Sequence, residues 1–345
     1  MSNPLPTDWI IGTSAYESAN TQLMKDAGIR WVRTGFSFPF ADRIGGALTD
    51  NYLRDKEHAR QWIERGFRLI GSTPGLGIGL NEPDETGKKR LTWKNGLPDW
   101  VGQAGSEAYY SRYAEACAFL AQDLRGMVPV WQIGNELDVA QFAGPLNLEQ
   151  ACELVLRSAV ALKSSDHSLK VGTNAAGAPY SYYQFARLYH DPRIRLDYCG
   201  IDQYYGSWQD GGPELWGSRI AEIYAITETP VFVNEWGFSS AGEPMTPEEF
   251  RAVRFSGAAP CTYQRWLYTW SSGHTWENQA EYIRLAFDCF KEHQDKLIGI
   301  CFYRWEDQET CWQCGSPTCP METAWGLVDP QNNPKPAYAA FKEGV

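Results

Sequence analysis

The amino-acid sequence predicts an α/β protein, a (β/α)8 barrel in which each parallel strand is followed by a helix. Three observations support this prediction. Short runs rich in β-branched and aromatic residues alternate with longer segments of helical periodicity, and eight such runs can be counted. The composition of the 345 residues shows no break, so residues 1–345 are expected to form a single barrel domain.

The main alternative is an open, doubly wound sheet, which would need an edge strand and usually carries a glycine-rich phosphate loop. Gly75–Leu80 is rich in glycine, but it lacks the spacing and the following helix of a dinucleotide-binding motif. The pattern favours a plain loop at this place. It therefore favours the closed barrel and disfavours a nicotinamide-dependent dehydrogenase.

The predicted elements are assigned from periodicity and length. The eight strands are Trp9–Ser14, Ile29–Phe38, Phe67–Ser72, Val128–Glu136, Leu169–Asn174, Tyr198–Tyr204, Pro230–Glu235 and Leu297–Trp305. The helices between them are Asn51–Arg65, Ser106–Arg125, Leu148–Ser164, Tyr180–His190, Pro213–Thr227 and Trp276–Lys296. The connections after strands three, seven and eight are long, and in a barrel such loops lie at the C-terminal face, where ligands bind.

The net charge of −11, without a basic cluster, argues against nucleic-acid binding and favours a neutral or cationic substrate over a polyanion. No apolar run approaches the ~20 residues that cross a bilayer, and the first residues lack the features of a signal peptide. We expect no membrane partner. A cytoplasmic protein, and a secreted one whose signal has been removed, both fit. The oligomeric state is left open.

Nine cysteines in a chain of this size do not indicate the disulfide framework of a small secreted protein. Cys311, Cys314 and Cys319 lie close together in CWQCGSPTCP, where a C-x-x-C pair could hold zinc or close a disulfide. Zinc needs four ligands and no fourth is adjacent, so a structural or inert role is favoured and no metal or other cofactor is expected. The remaining six are scattered and are expected to be buried: Cys117, Cys152, Cys199, Cys261, Cys289 and Cys301.

Two glutamates end otherwise apolar strands. Glu136 ends the fourth strand in VPVWQIGNELD, and Glu235 ends the seventh in TPVFVNEWG. A carboxylate is costly to bury unless it is paired or solvated, so each is expected at the polar mouth of the barrel. Strands four and seven face each other across a barrel, which brings the two side chains together. The alternative, that each Glu caps a helix or pairs with Arg33 or Arg304, is disfavoured by the matching pair.

Paired carboxylates suit the cleavage of a glycosidic bond. One carboxyl must be protonated for the leaving oxygen, and the other must be ionised to attack the anomeric carbon. The long loops carry many tryptophans, whose flat rings suit the apolar faces of sugars. Trp270 and His274, on the loop after strand seven, are candidates for a sugar subsite, although a lone loop histidine is more often solvated.

The dipeptides Asn135-Glu136 and Glu235-Trp236 resemble the signatures of clan A glycoside hydrolases, barrels with catalytic Glu residues on strands four and seven. Within the clan, the sequence most resembles families 5 and 39. The resemblance runs from Arg33 to the C-terminus and includes AWGLVDPQNNPKPAYAAFKE, which is similar to the segment leading from strand eight to the last helix. NELD replaces the more usual NEP, which weakens the family assignment without affecting Glu136.

The resemblance implies that Glu136 is the general acid/base and Glu235 the nucleophile. It implies that Asn135 binds the sugar 2-hydroxyl and that Arg33 keeps Glu235 ionised. It further assigns these candidate substrate-binding residues: Tyr204 or Tyr205 as the tyrosine bonded to the nucleophile, Trp305 as the floor of the sugar subsite, and Trp236 beside the nucleophile. The sequence does not decide between the two tyrosines, because neighbouring side chains of a strand point opposite ways.

The sequence thus predicts a retaining glycoside hydrolase acting through a covalent glycosyl-enzyme on a neutral, β-linked oligo- or polysaccharide. A barrel that binds sugars without cleaving them, and a transglycosidase that uses the same two glutamates, remain as alternatives. The sugar, the linkage and the choice between endo and exo action are left open.

Overall fold

The computed structural model describes residues 5–83, 89–177, 181–256 and 260–345. Within them, eight parallel strands form a closed barrel, which confirms the predicted fold class. The barrel closes where the first strand pairs with the last, from Ile10 opposite Gly299 to Thr13 opposite Phe302. The strands are β1 (Ile10–Thr13), β2 (Trp31–Gly35), β3 (Arg68–Ser72), β4 (Val130–Gln132), β5 (Lys170–Ala175), β6 (Tyr198–Gln203), β7 (Val231–Trp236) and β8 (Leu297–Phe302).

Helices surround the barrel. They are α1 (Thr21–Asp26), α2 (Asp50–Glu64), α3 (Glu107–Asp123), α4 (Ala140–Ala143), α5 (Leu148–Ser165), α6 (Ser181–Tyr189), α7 (Leu215–Thr227), α8 (Pro247–Ser256), α9 (Trp276–Glu292), α10 (Pro320–Thr323) and α11 (Pro336–Gly344). Short 3-10 turns lie at Asp99–Val101, Pro260–Thr262 and Gln294–Lys296. Within the described ranges, no helix is both long and apolar enough to cross a membrane.

Several long helices begin at residues whose side chains accept the free amides of the first turn. Asn147 and Gln150 form a reciprocal capping box at α5. The Ser106 side chain accepts the Tyr109 amide at α3, and Thr275 caps α9 in the same way. The predicted starts of these three helices are correct to within one residue.

The predicted strands Ile29–Phe38, Val128–Glu136 and Leu297–Trp305 are longer than the observed β2, β4 and β8. The extra residues include buried aromatic side chains, such as Phe36 and Phe38, that pack in the loops. Hydrophobic residues continue past the point where strand pairing ends, so an apolar run overestimates the strand length.

The loop after β3 differs from the prediction. Part of the glycine-rich stretch predicted as a plain loop belongs to a strand, Gly77–Pro83, which pairs antiparallel with Lys89–Asn95. Glycines carry no side-chain signal of alternation, so the sequence pattern did not reveal this hairpin. Long loops also follow β7 and β8, as predicted, and contain α8 and α10 respectively.

The interior of the barrel has an apolar lower layer and a polar upper layer. The lower layer consists of Ile10, Trp31, Ile70, Val130, Tyr198, Phe232 and Cys301. A larger apolar core lies between the strands and the helices. Because alternate residues of a strand point to the same side, residues two positions further along β2, β4 and β7 also point inwards. These are Arg33, Gln132 and Asn234, and they form the floor of the site.

Candidate active site

The upper layer is a network of polar side chains at the C-terminal ends of the strands. The Gln132 amide nitrogen donates to Asn174 Oδ1 at 2.9 Å, and its carbonyl oxygen accepts from Asn234 and from Arg33 Nε, each at 2.9 Å. Asp202 accepts a hydrogen bond from Asn174. This network joins β2, β4, β5, β6 and β7, and so fixes the geometry at the mouth of the barrel.

A β-bulge in β7 turns Glu235 towards the mouth. Val233 pairs with Ile201, but the next pair joins Asp202 to Glu235, so β7 contains one extra residue at Asn234. Without the bulge, Asn234 and Glu235 would point to opposite sides of the sheet. With it, both point inwards. Trp236 points outwards, where it is fully buried against Phe290 and its neighbours on the helical layer.

Glu235 is held by two donors. Arg33 Nη1 donates to Oε1 of Glu235, and the Tyr204 hydroxyl donates to Oε2. The side chains of Arg33 and Glu235 are 12% and 11% exposed, so this ion pair is largely shielded from water. Burial acts to lower the pKa of Arg33, but the charges of Glu235 and Asp202 raise it above its ordinary value. The carboxylate of Glu235 is therefore oriented on both oxygens and matched by a permanent positive charge.

The turn after β4 presents Asn135 and Glu136 together. Gly134 and Glu136 both have positive φ, at 66° and 45°, so the chain leaves the strand in a tight turn that a non-glycine residue rarely adopts. Asn174 Oδ1 accepts the Glu136 amide at 3.0 Å and stabilises this turn. The backbone thus places two adjacent side chains at the mouth, where a regular strand would present only one.

Asn135 is oriented by three donors to its carbonyl oxygen. Arg33 Nη2, Gln132 Nε2 (3.1 Å) and Asn174 Nδ2 (3.0 Å) all donate to Asn135 Oδ1. This arrangement fixes the positions of the oxygen and the nitrogen of the Asn135 amide. It leaves the Asn135 NH2 group as the end available to a ligand.

Glu136 and Glu235 meet across the mouth. One oxygen each of Glu136, Asp202 and Glu235 lie within 4.8 Å of one another. Desolvation, and after it the negative charges of Glu235 and Asp138, raise the pKa of Glu136 well above its ordinary value. The raised pKa favours the protonated form of Glu136, whereas Glu235 is paired with Arg33. Because Arg33 and Tyr204 already bind both oxygens of Glu235, this trio does not suit a metal ion.

The structure places Tyr204, and not Tyr205, against the nucleophile candidate. The Tyr205 ring packs edge-on against Trp216 with centroids 5.5 Å apart, on the helical side of the sheet. The Tyr204 ring packs against Tyr303 at 5.8 Å, and burial followed by the charge of Glu235 raises the pKa of Tyr204 well above its ordinary value. Its hydroxyl thus remains a donor.

Other predicted subsite residues lie outside the cleft, which corrects the sequence-based expectation. Trp305 is fully buried; its Nε1 donates to Asn332 at 3.2 Å and its ring packs under α11 against Tyr338. Trp236 is likewise enclosed. A ring without an exposed face cannot floor a sugar subsite.

Trp270 and His274 support the loop after β7. The Trp270 ring packs against Phe238 and Tyr282, with centroids 6.0 and 5.6 Å apart. His274 stacks on Phe238 at 4.6 Å, and its ring nitrogens lie 3.0 and 3.1 Å from the carbonyl oxygens of Ser239 and Tyr268. Burial lowers the pKa of His274, in agreement with a packed ring. These contacts are structural.

Sequence reasoning missed several residues that shape the site. Tyr303, at the end of β8, donates to Glu322 Oε2 at 2.9 Å, and Gln313 Nε2 donates to Oε1 at 2.6 Å. Burial, opposed by these hydrogen bonds, raises the pKa of Glu322 to about 7. Asp202 could have been found from its sequence, since it is a charged residue inside the apolar run YCGIDQ. Glu322 lies in the short helix α10, within the long loop after β8, and gave no such signal.

Removal of the Tyr204 hydroxyl tests whether it positions Glu235. For Tyr204→Phe we expect kcat/KM on any cleaved glycoside to fall about 10- to 100-fold, since a hydrogen bond to a charged group contributes about 1.5–3 kcal/mol. Steady-state kinetics would measure this change. The matched control is Tyr205→Phe, where we expect less than about a twofold change. Equal losses in the two variants would contradict the assignment.

Asp202 should make stability depend on pH. Its Oδ1 has no hydrogen-bond partner among the described residues, and burial, followed by the charges of Glu235 and Glu136, raises its pKa well above the ordinary value. The folded state then holds a proton that the unfolded chain releases, so stability falls as pH rises from about 4 towards the raised pKa. Asp202→Asn cannot ionise. Its melting temperature should fall less than that of the wild type between about pH 4 and 8; a constant difference at every pH would contradict this explanation.

The chain was compared with protein families, curated proteins and solved structures. No protein-family model and no curated protein matches the sequence. Among solved structures, the GH53 catalytic domain of Ignisphaera aggregans superposes with a TM-score of 0.62 at 17% identity, over 99% of this chain and 98% of that one. The comparison establishes the fold.

Two further structures support the same conclusion. The β-glycosidase BGL167 gives a TM-score of 0.63 at 12% identity, over 99% of this chain and 97% of that one. A glucosidase from Croceicoccus marinus gives 0.62 at 14% identity, over 99% of this chain and 68% of that one. Glycosidase barrels thus recur among the solved structures that this chain resembles, and its activity must be argued from its own residues.

Proposed function

We propose that this chain is a retaining glycoside hydrolase in which Glu235 is the nucleophile and Glu136 the general acid/base. One observation carries the proposal: two carboxyl groups meet across the mouth of the barrel in opposite electrostatic surroundings. Glu235 is paired with Arg33, and the pKa of Glu136 is raised by burial and by Glu235 itself. Two identical groups whose environments differ in this way can take different catalytic roles.

The spacing of the carboxyl groups supports retention. Oxygens of Glu136 and Glu235 lie within 4.8 Å of each other. Retaining glycosidases separate the two groups by about 5–5.5 Å, whereas inverting enzymes need about 6.5–9.5 Å to accommodate a water molecule. The short separation favours direct attack by Glu235 on the sugar.

The first step forms a covalent intermediate. Protonated Glu136 donates its proton to the glycosidic oxygen while a carboxylate oxygen of Glu235 attacks the anomeric carbon. The bond between this carbon and the glycosidic oxygen breaks, the aglycone leaves as an alcohol, and the sugar is esterified to Glu235. Arg33 and Tyr204 orient the attacking carboxylate.

The second step releases the sugar. Glu136, now ionised, removes a proton from a water molecule as that water attacks the anomeric carbon, and the ester bond to Glu235 breaks. Asn135, with its NH2 group directed to the cleft, is placed to donate to the sugar hydroxyl next to the anomeric carbon. Such a bond would strengthen in the transition state, where that hydroxyl becomes more acidic.

The substrate is proposed to be a neutral, β-linked glycoside. The acidic net charge of −11, without a basic cluster, disfavours polyanions. The sequence resemblance to clan A barrels, which mostly cleave β-type linkages, supports the linkage. Tyr303, half-buried beside Tyr204, is the aromatic side chain that we propose as the sugar platform in place of Trp305.

The test is a screen of aryl β-glycosides, their α-anomers and neutral polysaccharides, scored for released phenol and reducing ends. For each cleaved substrate, NMR of the first product formed gives its anomeric configuration, and retention is expected. An inverted first product would contradict the role of Glu235. Binding without any cleavage would favour a sugar-binding barrel, and transfer to an added acceptor sugar in preference to water would favour a transglycosidase.

A further inference from the structure

Four cysteines from two loops meet beside the candidate active site. Cys261 lies in the 3-10 turn Pro260–Thr262 of the loop after β7, and Cys311, Cys314 and Cys319 lie in the loop after β8. Their four sulfur atoms lie within 4.8 Å of one another. The sequence suggested no fourth ligand because Cys261 is 50 residues away from Cys311 along the chain. The fold brings Cys261 next to the other three cysteines.

The spacing of the sulfur atoms fits a tetrahedral metal site. Cys261 Sγ and Cys311 Sγ are 3.9 Å apart. In a tetrahedron with Zn–S bonds of about 2.3 Å, neighbouring sulfurs are separated by about 3.8 Å. A disulfide would require about 2.05 Å. Four sulfurs gathered around a common centre match a zinc site better than two separate disulfide bonds.

The backbone around the cluster donates to the sulfur atoms. The amides of Gln313 and Cys314 donate to Cys311, and the amide of Met321 donates to Cys319. Gly315 directly follows the C-x-x-C pair with φ at 73°, and its amide donates to the Cys311 carbonyl at 2.6 Å. A tight turn with N–H groups directed at sulfur stabilises negatively charged thiolate ligands, and the left-handed position after Cys314 favours glycine.

The geometry points to a structural Zn²⁺ site formed by Cys261, Cys311, Cys314 and Cys319. Four protein ligands close the coordination sphere, which is typical of structural zinc and leaves no position for a substrate. Because the ligands come from the loops after β7 and β8, the ion would tie these two loops together. The softness of thiolate ligands also favours Zn²⁺ over Mg²⁺ or Ca²⁺.

The site would support the catalytic cleft. Cys311 and Cys319 belong to the same buried cluster as Tyr204, Trp266 and Trp325. Gln313, between two of the ligands, donates to Glu322 Oε1. The zinc site would therefore hold the cleft wall that contains Tyr204 and Glu322. Binding of metal by these thiols does not depend on glycosidase activity, so the two proposals can fail separately.

Metal analysis of the purified full chain tests the proposal. After dialysis against metal-free buffer without chelator, mass spectrometry of metals should find about one zinc per chain. Cys261→Ser and Cys314→Ser should each lower this value at least fivefold. The matched control is Cys289→Ser, a half-buried cysteine whose sulfur donates to the Pro213 carbonyl, and it should retain the zinc. A zinc content near zero in the wild-type protein would overturn the proposal.

Thiol mapping gives a second readout that does not require folded variants. The wild-type protein is denatured with a chelator and without reductant, then alkylated and analysed by mass. A zinc site predicts that all nine cysteines are alkylated. Alkylation of only five, with the four cluster cysteines in disulfides, would overturn it. Cobalt provides a further check: Co²⁺ added to the chelator-treated wild type should give the absorption bands of tetrahedral thiolate coordination, and their absence would contradict the site.

Discussion

Glu235→Gln should lower kcat/KM by at least about 10⁴-fold on any glycoside that the wild-type protein cleaves. Glutamine keeps the shape of the side chain and can still accept from Arg33 or Tyr204, but its amide does not attack an anomeric carbon. It also leaves the largely buried Arg33 without its ion-pair partner. Steady-state kinetics, with circular dichroism to confirm folding, would measure the loss.

The matched control is Glu306→Gln. Glu306 is another buried glutamate; it follows β8, and its Oε1 accepts from the Tyr16 amide at 2.8 Å. Its replacement should change kcat/KM by less than about threefold. A similar loss in both variants would indicate that any buried glutamate matters for folding, and would contradict a specific role for Glu235.

Two experiments identify the attacking residue directly. A glycoside with fluorine next to the anomeric carbon destabilises both transition states, and with a good leaving group it should trap the sugar on Glu235, detectable by peptide mass. In Glu235→Gly, added azide should enter the vacated space and attack from the same face. The product should be a glycosyl azide of inverted configuration. Labelling of another residue would contradict the assignment.

Glu136→Gln should act mainly on substrates with poor leaving groups, where we expect a loss of about 10²- to 10⁴-fold in kcat/KM. Such leaving groups need the proton that Glu136 supplies. An activated aryl glycoside leaves without protonation, so its first step should be nearly unaffected. Its second step still lacks the base, so the intermediate should accumulate, with a burst of released phenol and a lowered KM. A uniform loss across leaving groups would contradict the role of acid.

The pH profile provides an independent test of Glu136. Desolvation and the charge of Glu235 raise its pKa, so the protonated acid persists to higher pH than for an ordinary glutamate. Activity should therefore fall as pH rises through this raised pKa, because the acid is lost. In Glu136→Gln this alkaline limb should disappear from the profile of kcat/KM on a substrate with a poor leaving group, at the lower rate that the variant retains. A limb that persists in the variant would belong to another group.

The sequence alone predicted the barrel and the residues with the most distinctive local signals. Alternating apolar runs and helical segments determined the order of the strands, because periodicity is a local property of the chain. The Asn-Glu pairs at Glu136 and Glu235 were recognisable because a carboxylate is costly to bury in an apolar strand unless it is paired or solvated. The role of Arg33 in WVRTG was implied by the resemblance to clan A barrels.

Only the tertiary structure decided how neighbouring side chains are directed. The bulge at Asn234 turns Glu235 inwards and Trp236 outwards, and the direction of β6 at its end selects Tyr204 over Tyr205. Trp305 resembled a sugar platform in sequence, yet it lies under α11. An extra residue in one strand changes which side every later residue faces, and a sequence pattern does not reveal the register of pairing.

The cysteine cluster shows the same limit over a longer distance. The sequence showed three cysteines and lacked the fourth ligand, because Cys261 belongs to a different loop, 50 residues before Cys311. Local patterns of residue types depend only on the order of the residues, and they predicted the fold class and the two candidate catalytic carboxyl groups. The partners of those groups, and the four sulfurs beside them, meet only when the closed barrel brings the ends of different strands together.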